Sequence, residues 1–375
     1  MPRLPPYNPA IGSEARASTN GCILPTEKHE GTVLEKGDPR LYREEVIALF
    51  ERHGNRRFRE RFDCYYSNNG QDRPTSWLLR SRGSGRLLGL CTVVPRKFRC
   101  GSAVLKGGVL GNLLVDRESR KTLGALNLVY AAKSLVIRKE IDVLLGITNS
   151  QSRQLALRLG FHFLGFWDIH VRVFRPSDLL RSSFSRLASL LKPFLDWPAR
   201  HIVSEWSTTR TKDFPIMELR QNELSDIPIE TWASSDGSLV AERSIAYLRW
   251  RFLKNPFRQC RVLGLVDPRS EKVCGHLVVT SGSGVVRIWD CCTDSRRLSE
   301  AQAILNLCRE WRQGSVFCTA TLRSSTLSEE LQHVGFVRFP YFSGGVVGLW
   351  RPDHPLAGQF NKASAWNLFL GFKDV

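Results

Sequence analysis

The sequence has no apolar run approaching the roughly 18 residues that cross a bilayer. Its most apolar stretches, such as Ile141 to Ile147, are strand-length and flanked by charge. The first ten residues, MPRLPPYNPA, lack an apolar core, so no secretory signal is expected. Among 10 cysteines there is no C-x-x-C spacing, and the only neighbours are Cys291 and Cys292. A zinc site is therefore not expected, no other metal is implied, and the thiols read as reduced and mostly buried. Acidic residues are in deficit, 36 against 54 basic, for a formal charge of +18. That balance calls for an acidic partner: a phosphorylated cofactor, nucleic acid, an anionic glycan or an anionic membrane. These absences together read as a cytoplasmic protein.

Hydrophobic residues make up 42% and charged residues 24% of the 375 positions, enough for real cores and, at about 100–200 residues per domain, for two of them. Residues 1–38 are rich in Pro, Gly, Ser and charge and read as a disordered tail. A first domain is expected over 39–175, opening with an amphipathic helix through Leu41, Val46, Leu49 and Phe50. Residues 176–215 read as a helical linker whose apolar face carries Leu180, Phe184, Leu187 and Leu191, with Arg181, Arg186 and Lys192 elsewhere. It is expected to pack on a domain; the alternative is that 179–195 lies on an anionic membrane at its inner face. A second domain follows over 216–375.

Within the first domain, TSWLLRS, LLGLCTVVPRKF and AVLKGGVLGNLLV are strand patterns separated by turns. A helix is expected from about Leu123 to Lys139, then a buried strand in IDVLLGITN, a short helix in SRQLALRLGF ending at Gly160, and a strand pair in FHFLGFWDIHVRVF. The second half repeats landmarks of the first in order: Asn68-Asn69 with Asn255-Pro256, Gly89 with Gly275, Val115-Asp116 with Trp289-Asp290, and Leu159-Gly160-Phe161 with Val334-Gly335-Phe336. That is a diverged internal duplication.

The layout from Gly107 to Phe166 resembles the GNAT (Gcn5-related N-acetyltransferase) superfamily: strand, basic turn, helix, strand, then Asn149 with Ser152, then Leu159-Gly160-Phe161. LRWRFLKNP and SAWNLFLGFKD further resemble tandem GNAT-like proteins that accompany bacterial surface-polysaccharide biosynthesis. The resemblance implies an α/β (α+β) chain of two tandem GNAT-like domains, with mixed, mostly antiparallel sheets flanked by helices. It implies acetyl-CoA or another acyl-CoA as donor. The pyrophosphate would sit on the turn Arg120-Lys121-Thr122-Leu123-Gly124-Ala125, where a helix N-terminus offers free N–H groups to an anion. This turn departs from the pattern, since Leu123 stands where the central glycine belongs. Leu114 and Val115 would run beside the coenzyme, with a backbone N–H near Val115 polarising the thioester, and Asn149 would hold the pantetheine arm. Ser152 is placed to cap the helix that follows.

The usual tyrosine acid position is Ala156, so another proton donor is needed. Asp116 is the candidate base for an amine acceptor. In the second half the turn TDSRRLSEAQ has no glycine, so no second coenzyme site is expected. Asp290 and Trp289 are the candidates for an acceptor pocket, with Trp250 and Arg251 adding stacking and charge. His276 reads as a satisfied core residue.

The expected activity is acyl transfer, of an acetyl group in the simplest case, from acyl-CoA to an amine, such as an amino sugar in surface-polysaccharide biosynthesis. Two alternatives stay open at this stage. One is a peptidoglycan-bridge type transferase that takes its group from aminoacyl-tRNA or acyl carrier protein, which +18 would suit. The other is a non-catalytic GNAT-like binding protein.

Overall fold

The computed structural model describes residues 31–66, 73–117, 119, 123–174, 214–227, 232, 238–311 and 315–369. The Asn68-Asn69 landmark, the turn residues Arg120, Lys121 and Thr122, and residues 176–213 of the linker helix expected over 176–215, with its membrane-facing alternative over 179–195, lie outside these residues. No helix among the described residues is long and apolar enough to cross a membrane.

The β-branched and leucine-rich runs of the first half become β2 (Thr75–Ser81), β3 (Leu87–Cys100) and β4 (Ala103–Val115), paired antiparallel in sequence order. On one face of this meander packs α3 (Gly124–Ile137), whose Leu128, Val129, Ala132 and Leu135 meet Trp77, Leu79, Cys91 and Val93. On the other face pack α1 (Arg43–Arg52) and α2 (Phe58–Tyr66), which bury Val46, Ile47, Phe58 and Phe62 against Leu78, Leu87 and Leu90. That alternation is what a strand buried on both sides requires. The chain is ordered earlier than expected: β1 (Thr32–Gly37) covers the edge of β2 from Thr32↔Ser81 to Gly37↔Ser76. The boundary of the tail at 38 is thereby corrected. The edge is favourable because Arg80 on β2 pairs with Glu35 at 2.6 Å.

After α3 the chain returns as β5 (Val143–Thr148), parallel to β4, then α4 (Ser150–Arg158) and β6 (His162–Val173). FHFLGFWDIHVRVF is thus one long strand and not a pair. Gly160 adopts φ +85 just past α4, as a helix-terminating glycine does.

The second half builds β9 (Arg261–Val266), β10 (Val273–Gly282), β11 (Val285–Thr293), α6 (Glu300–Glu310), β12 (Val316–Leu322), α7 (Thr326–His333) and β13 (Val337–Trp350). Between the halves lie the short strands β7 (Ile216–Glu218) and β8 (Leu239–Ala241), and α5 (Ile245–Leu248), which runs on as a π-turn over Arg249–Leu253.

The halves exchange their last strands. The order through the main sheet is β1-β2-β3-β4-β5-β13-β6-β12-β11-β10-β9-β7. The final long strand of the second half, β13, lies between β5 and β6 of the first, pairing Gly345 with Thr148 and Val337 with Val171. In turn β6 carries β12 on its far edge, from Val316↔Val173 to Leu322↔Trp167. Neither half closes its sheet alone, so the expected boundaries at 175 and 216 do not separate two self-contained sheets. The architecture is mixed α/β, with one mostly antiparallel sheet flanked by helices.

The C-terminal residues complete the core. A short strand β14 (Trp366–Asn367) pairs with β8, and Trp366, Leu368 and Phe360 pack on Phe98, Val143, Trp167 and Trp350 beneath the exchanged strands.

Candidate functional site

The duplicated halves differ where the first would hold a coenzyme. In the first half, β4 and β5 pair only from Gly107↔Val143 to Leu110↔Gly146. Beyond that point β4 follows β3 to Val115, while β5 follows β13 to Thr148. A cleft opens between them, flanked by the N-termini of α3 and α4. A bulge in β4 sits at its edge: Leu114 faces Leu90 and Gly111 faces Thr92, leaving Asn112 and Leu113 opposite Cys91 alone. Asn112 takes φ +51, a left-handed conformation that asparagine tolerates better than most residues. A bulge turns backbone groups out of the ladder.

At the N-terminus of α3 the cap position is apolar. Leu123 is the cap residue, makes no side-chain hydrogen bond there and is 49% exposed, and no acidic residue stands in the first turn. Leu123 itself takes φ −72, so its position needs no glycine, and Gly124 is the first helical residue, without a positive φ. Gly124 is buried and Ala125 packs against the α3 core. Leu114 is half-buried and Val115 is buried at the end of β4.

Across the cleft Asn149 caps α4. Its Oδ1 accepts from the backbone N–H of Ser152 at 2.9 Å, and Ser152 Oγ accepts from the N–H of Asn149 at 3.0 Å, a reciprocal capping box. The cap is therefore Asn149, with Ser152 three residues in; the expected order of the two is reversed. Ala156, in the tyrosine position, is buried in the α3 core.

Asp116 follows β4 directly. Its N–H donates to Leu88 O at 2.7 Å, and its carboxylate meets Arg52 at 3.3 Å and Arg86 at 3.8 Å. It is 8% exposed.

The sequence reasoning missed Tyr66, at the end of α2. It is buried, and its hydroxyl accepts from Asn112 Nδ2 at 3.2 Å. Burial raises its pKa, so the phenol stays protonated. The Gly-Asn pair interrupting the apolar run of β4 was the available signal for the bulge itself.

In the second half the corresponding region is built differently. The counterpart of Asp116 is Asp294, 178 residues on, and not Asp290 at 174: Asp294 N–H donates to Cys274 O at 2.8 Å just as Asp116 does to Leu88 O, and Gly275 faces Thr293 as Gly89 faces Val115. Asp294 is tied to Arg296 at 2.9 Å. The α6 N-terminus is sealed by its own capping box, Ser299 with Gln302. The splay between β11 and β12, which pair only from Val285↔Val316 to Arg287↔Cys318, is bridged by the chain's own Phe369 against Thr321.

Asp290 lies within β11, not at its end. Both its oxygens accept from Arg243 Nε, at 2.9 and 3.0 Å, with side chains 7% and 4% exposed. Trp250 and Arg251 are also buried, in the π-turn after α5, where Trp250 Nε1 donates to Cys64 O at 3.1 Å and wedges the second half against α2. Trp289 is half-buried, its Nε1 donating to Thr280 Oγ1 at 2.9 Å and its ring lying 3.9 Å beneath the Arg258 guanidinium. These residues form a packed junction, apart from the end of β4 with Leu114, Val115 and Asp116, the start of α3 with Leu123, Gly124 and Ala125, and the start of α4 with Asn149 and Ser152.

His276 is fully buried on β10 and, among the described residues, neither ring nitrogen has a hydrogen-bond partner, so it is a core residue but not a satisfied one. Burial lowers its pKa to about 4. The Cys292 and Cys308 thiols are pushed up to about 12 by burial, which makes them poor nucleophiles.

No protein-family model and no curated protein matches the chain. Solved structures do. A conserved protein of Enterococcus faecalis V583, described as a probable N-acyltransferase, superposes with a TM-score of 0.60 at 11% identity, over 86% of this chain and 73% of that one. The N-myristoyltransferase of Saccharomyces cerevisiae with bound myristoyl-CoA gives 0.51 at 12% identity, over 88% and 87%. A GCN5-related N-acetyltransferase from Kribbella flavida gives 0.52 at 11% identity, over 85% and 71%. With the splayed parallel strands and the duplicated, strand-exchanged sheet, this chain has the GNAT fold in tandem.

Proposed function

We propose that the chain is an acyltransferase that moves an acyl group from acyl-CoA to an amine, with the coenzyme in the first half alone. The observation that carries this reading is the contrast between the two copies. The cap residue of α3, Leu123, makes no side-chain hydrogen bond and β4 and β5 stop pairing beyond Leu110↔Gly146, while α6 is capped by Ser299 and Phe369 pairs with Thr321 of β12. A helix N-terminus preceded by a basic turn suits a pyrophosphate.

In this reading Arg120, Lys121, Thr122, Leu123, Gly124 and Ala125 hold the phosphates. Leu114, Val115 and the Asn112 bulge run beside the thioester, with Asn149 and Ser152 across the cleft. The amine attacks the thioester carbonyl, whose developing oxyanion is met by backbone N–H groups of β4. Asp116, beside the cleft, takes the proton from the ammonium directly or through water. As the amide forms, the C–S bond breaks, and the protonated phenol of Tyr66, linked to Asn112, is the donor to the departing coenzyme thiolate in place of the tyrosine absent at Ala156. An amino sugar of surface-polysaccharide biosynthesis remains the proposed acceptor on the sequence resemblance; the buried Trp250 and Arg251 add nothing to it.

Calorimetry with acetyl-CoA and myristoyl-CoA on the full chain tests the reading. Arg120→Glu is expected to abolish binding and Arg296→Glu, in the second half, to leave it intact. Equal losses, or no binding of either thioester to the wild type, would remove the coenzyme from the first half.

A further inference from the structure

A pocket of about 560 Å³ opens at the end of α3 that lies away from the basic turn. Val136 and Ile137 in the last turn of α3, Leu349 and Trp350 at the end of β13, and Ala357 of a short helix α8 (Ala357–Phe360) give it an apolar wall. His162, exposed at the start of β6, stacks on Trp350 with ring centroids 4.6 Å apart and carries that wall to the surface. Ile137 is 45% exposed, a large aliphatic side chain left on the rim. The volume falls within the roughly 300–1,000 Å³ of small-ligand sites, which are likewise mostly apolar with a few placed polar groups. Twelve residues separate Gly124 from Val136, so at ~1.5 Å per residue the pocket lies about 18 Å from the turn expected to hold the pyrophosphate.

The polar groups of the pocket are arranged for a negative charge. Lys133 stands three and four residues before Val136 and Ile137, so the three share one face of α3. Its Nζ donates to Leu159 O at 2.7 Å. An ammonium has three N–H donors, so two remain for a ligand. Among the described residues Lys133 has no carboxylate partner. Gly160 leaves the ammonium uncovered: a Cβ there would lie 3.6 Å from Nζ, and the φ of +85 that ends α4 favours glycine. Among the described residues Asp353 is the one carboxylate in the lining, and it is shared by Lys139 at 3.8 Å and Arg351 at 3.7 Å. Asp142, outside the lining, holds Arg351 Nη2 at 3.5 Å. Three cations therefore face one anion around the pocket.

The helix ends that meet here do not offset that charge with free carbonyls. Ser134 O, Leu135 O and Val136 O of α3 accept from the N–H groups of Arg138, Glu140 and Lys139, and Leu159 O at the end of α4 is taken by Lys133 itself. An apolar trough with an approachable ammonium at one side fits an amphiphilic anion.

We propose that this pocket is a second binding site, for a free medium-chain carboxylate, with its head on Lys133 and its chain along Val136, Ile137, Leu349 and the His162–Trp350 stack. No bond is made or broken there. Each methylene removed from water is worth about fourfold in affinity, so the chain supplies the strength of binding and Lys133 the choice of charge. The site does not depend on the coenzyme reading of the first half.

The test is calorimetry on the full chain without any coenzyme. Octanoate is the probe, 1-octanol its uncharged counterpart, and acetate its head without the chain. Octanoate is expected to bind at one site, 1-octanol at least about tenfold more weakly and acetate at least about a hundredfold more weakly. Lys133→Met keeps the apolar stem and removes the charge. It is expected to weaken octanoate about tenfold or more and to leave 1-octanol within about threefold, so that the preference for the anion disappears. Ile137→Glu sets a like charge on the exposed rim and is expected to weaken octanoate about tenfold; it serves if Lys133→Met fails to fold. No heat with octanoate, equal affinity for 1-octanol, or wild-type affinity for octanoate in either folded variant would overturn the proposal. Displacement of octanoate by acetyl-CoA would also overturn it, by placing the chain in the first-half cleft. Loss of acetyl-CoA binding with octanoate binding intact would uphold the pocket and count against the coenzyme reading alone.

Discussion

Replacing Asp290 by Asn separates a structural role from a chemical one. Asp290 is the counter-ion of Arg243 in a junction where Arg96 stacks 3.3 Å over the Tyr247 ring and the pair is at most 7% exposed. Removing one partner of such a pair leaves a guanidinium desolvated without its charge, which typically costs 3–5 kcal/mol. Asparagine keeps an oxygen for Arg243 Nε and for the Cys291 N–H that Asp290 Oδ1 now accepts at 3.1 Å, so the lower end, about 3 kcal/mol, is expected. On the scaling for domains of ~150–250 residues that is roughly 6–12 °C in melting temperature. Arg243→Met combined with Asp290→Leu should recover most of the loss, because an apolar pair carries no buried charge. Melting followed by circular dichroism reads both variants, and turnover on the folded fraction of Asp290→Asn should stay near wild type. An unchanged melting temperature with a large fall in kcat would refute the reasoning and return Asp290 to the active site.

Removal of residues 1–30 should leave the melting temperature unchanged, whereas removal of 1–38 uncovers the edge of β2 and should lower it and promote aggregation; equal melting of the two truncations would mean that β1 contributes nothing. His170 and His276 are buried with pKa lowered to about 4, against about 6.5 in an unfolded chain, so the unfolded state takes up protons first. Stability should therefore fall as pH drops from about 6.5 to 4, by up to about 3 kcal/mol per histidine, and His276→Leu should flatten the slope in urea titrations; a flat wild-type profile would contradict this. Glu300, raised to about 7 by burial, works in the opposite sense: it favours the folded state below about 4.5 and costs stability as pH rises towards 7, so Glu300→Gln should steepen the acid-side loss.

Local patterns in the sequence carried the first half well. AVLKGGVLGNLLV is β4 residue for residue, and the helix expected from about Leu123 to Lys139 is α3 over Gly124–Ile137. What failed was everything set by distant partners. The pairing of β13 between β5 and β6 is invisible because strand composition does not name a neighbour almost 190 residues away. Matching Val115-Asp116 to Trp289-Asp290 went astray because the first half has eight positions from Asp116 to Gly124 and the second only six from Asp294 to Glu300, so the dipeptide that looked alike was not the one at the strand end. Around Asn149 and Ser152 the sequence showed that a cap was present, because a cap motif is local, but not which of the two residues makes it. The Tyr66–Asn112 contact was not legible, since it joins a helix to a bulge 46 residues later.

The exchanged strands also set a timetable for synthesis. When β6 has left the ribosome, the first half has all of its own strands, yet the edge of β5 has no neighbour until β13 arrives. From Thr148 to Val337 is 189 residues, which at ~5–20 residues per second is roughly 10–40 s of translation. Throughout that interval a buried-type strand, VLLGIT, would present an open ladder to any other nascent chain. A stop or a frameshift before or within β13 would then leave a sheet split at its middle, and the damage would fall on the half that had already been made.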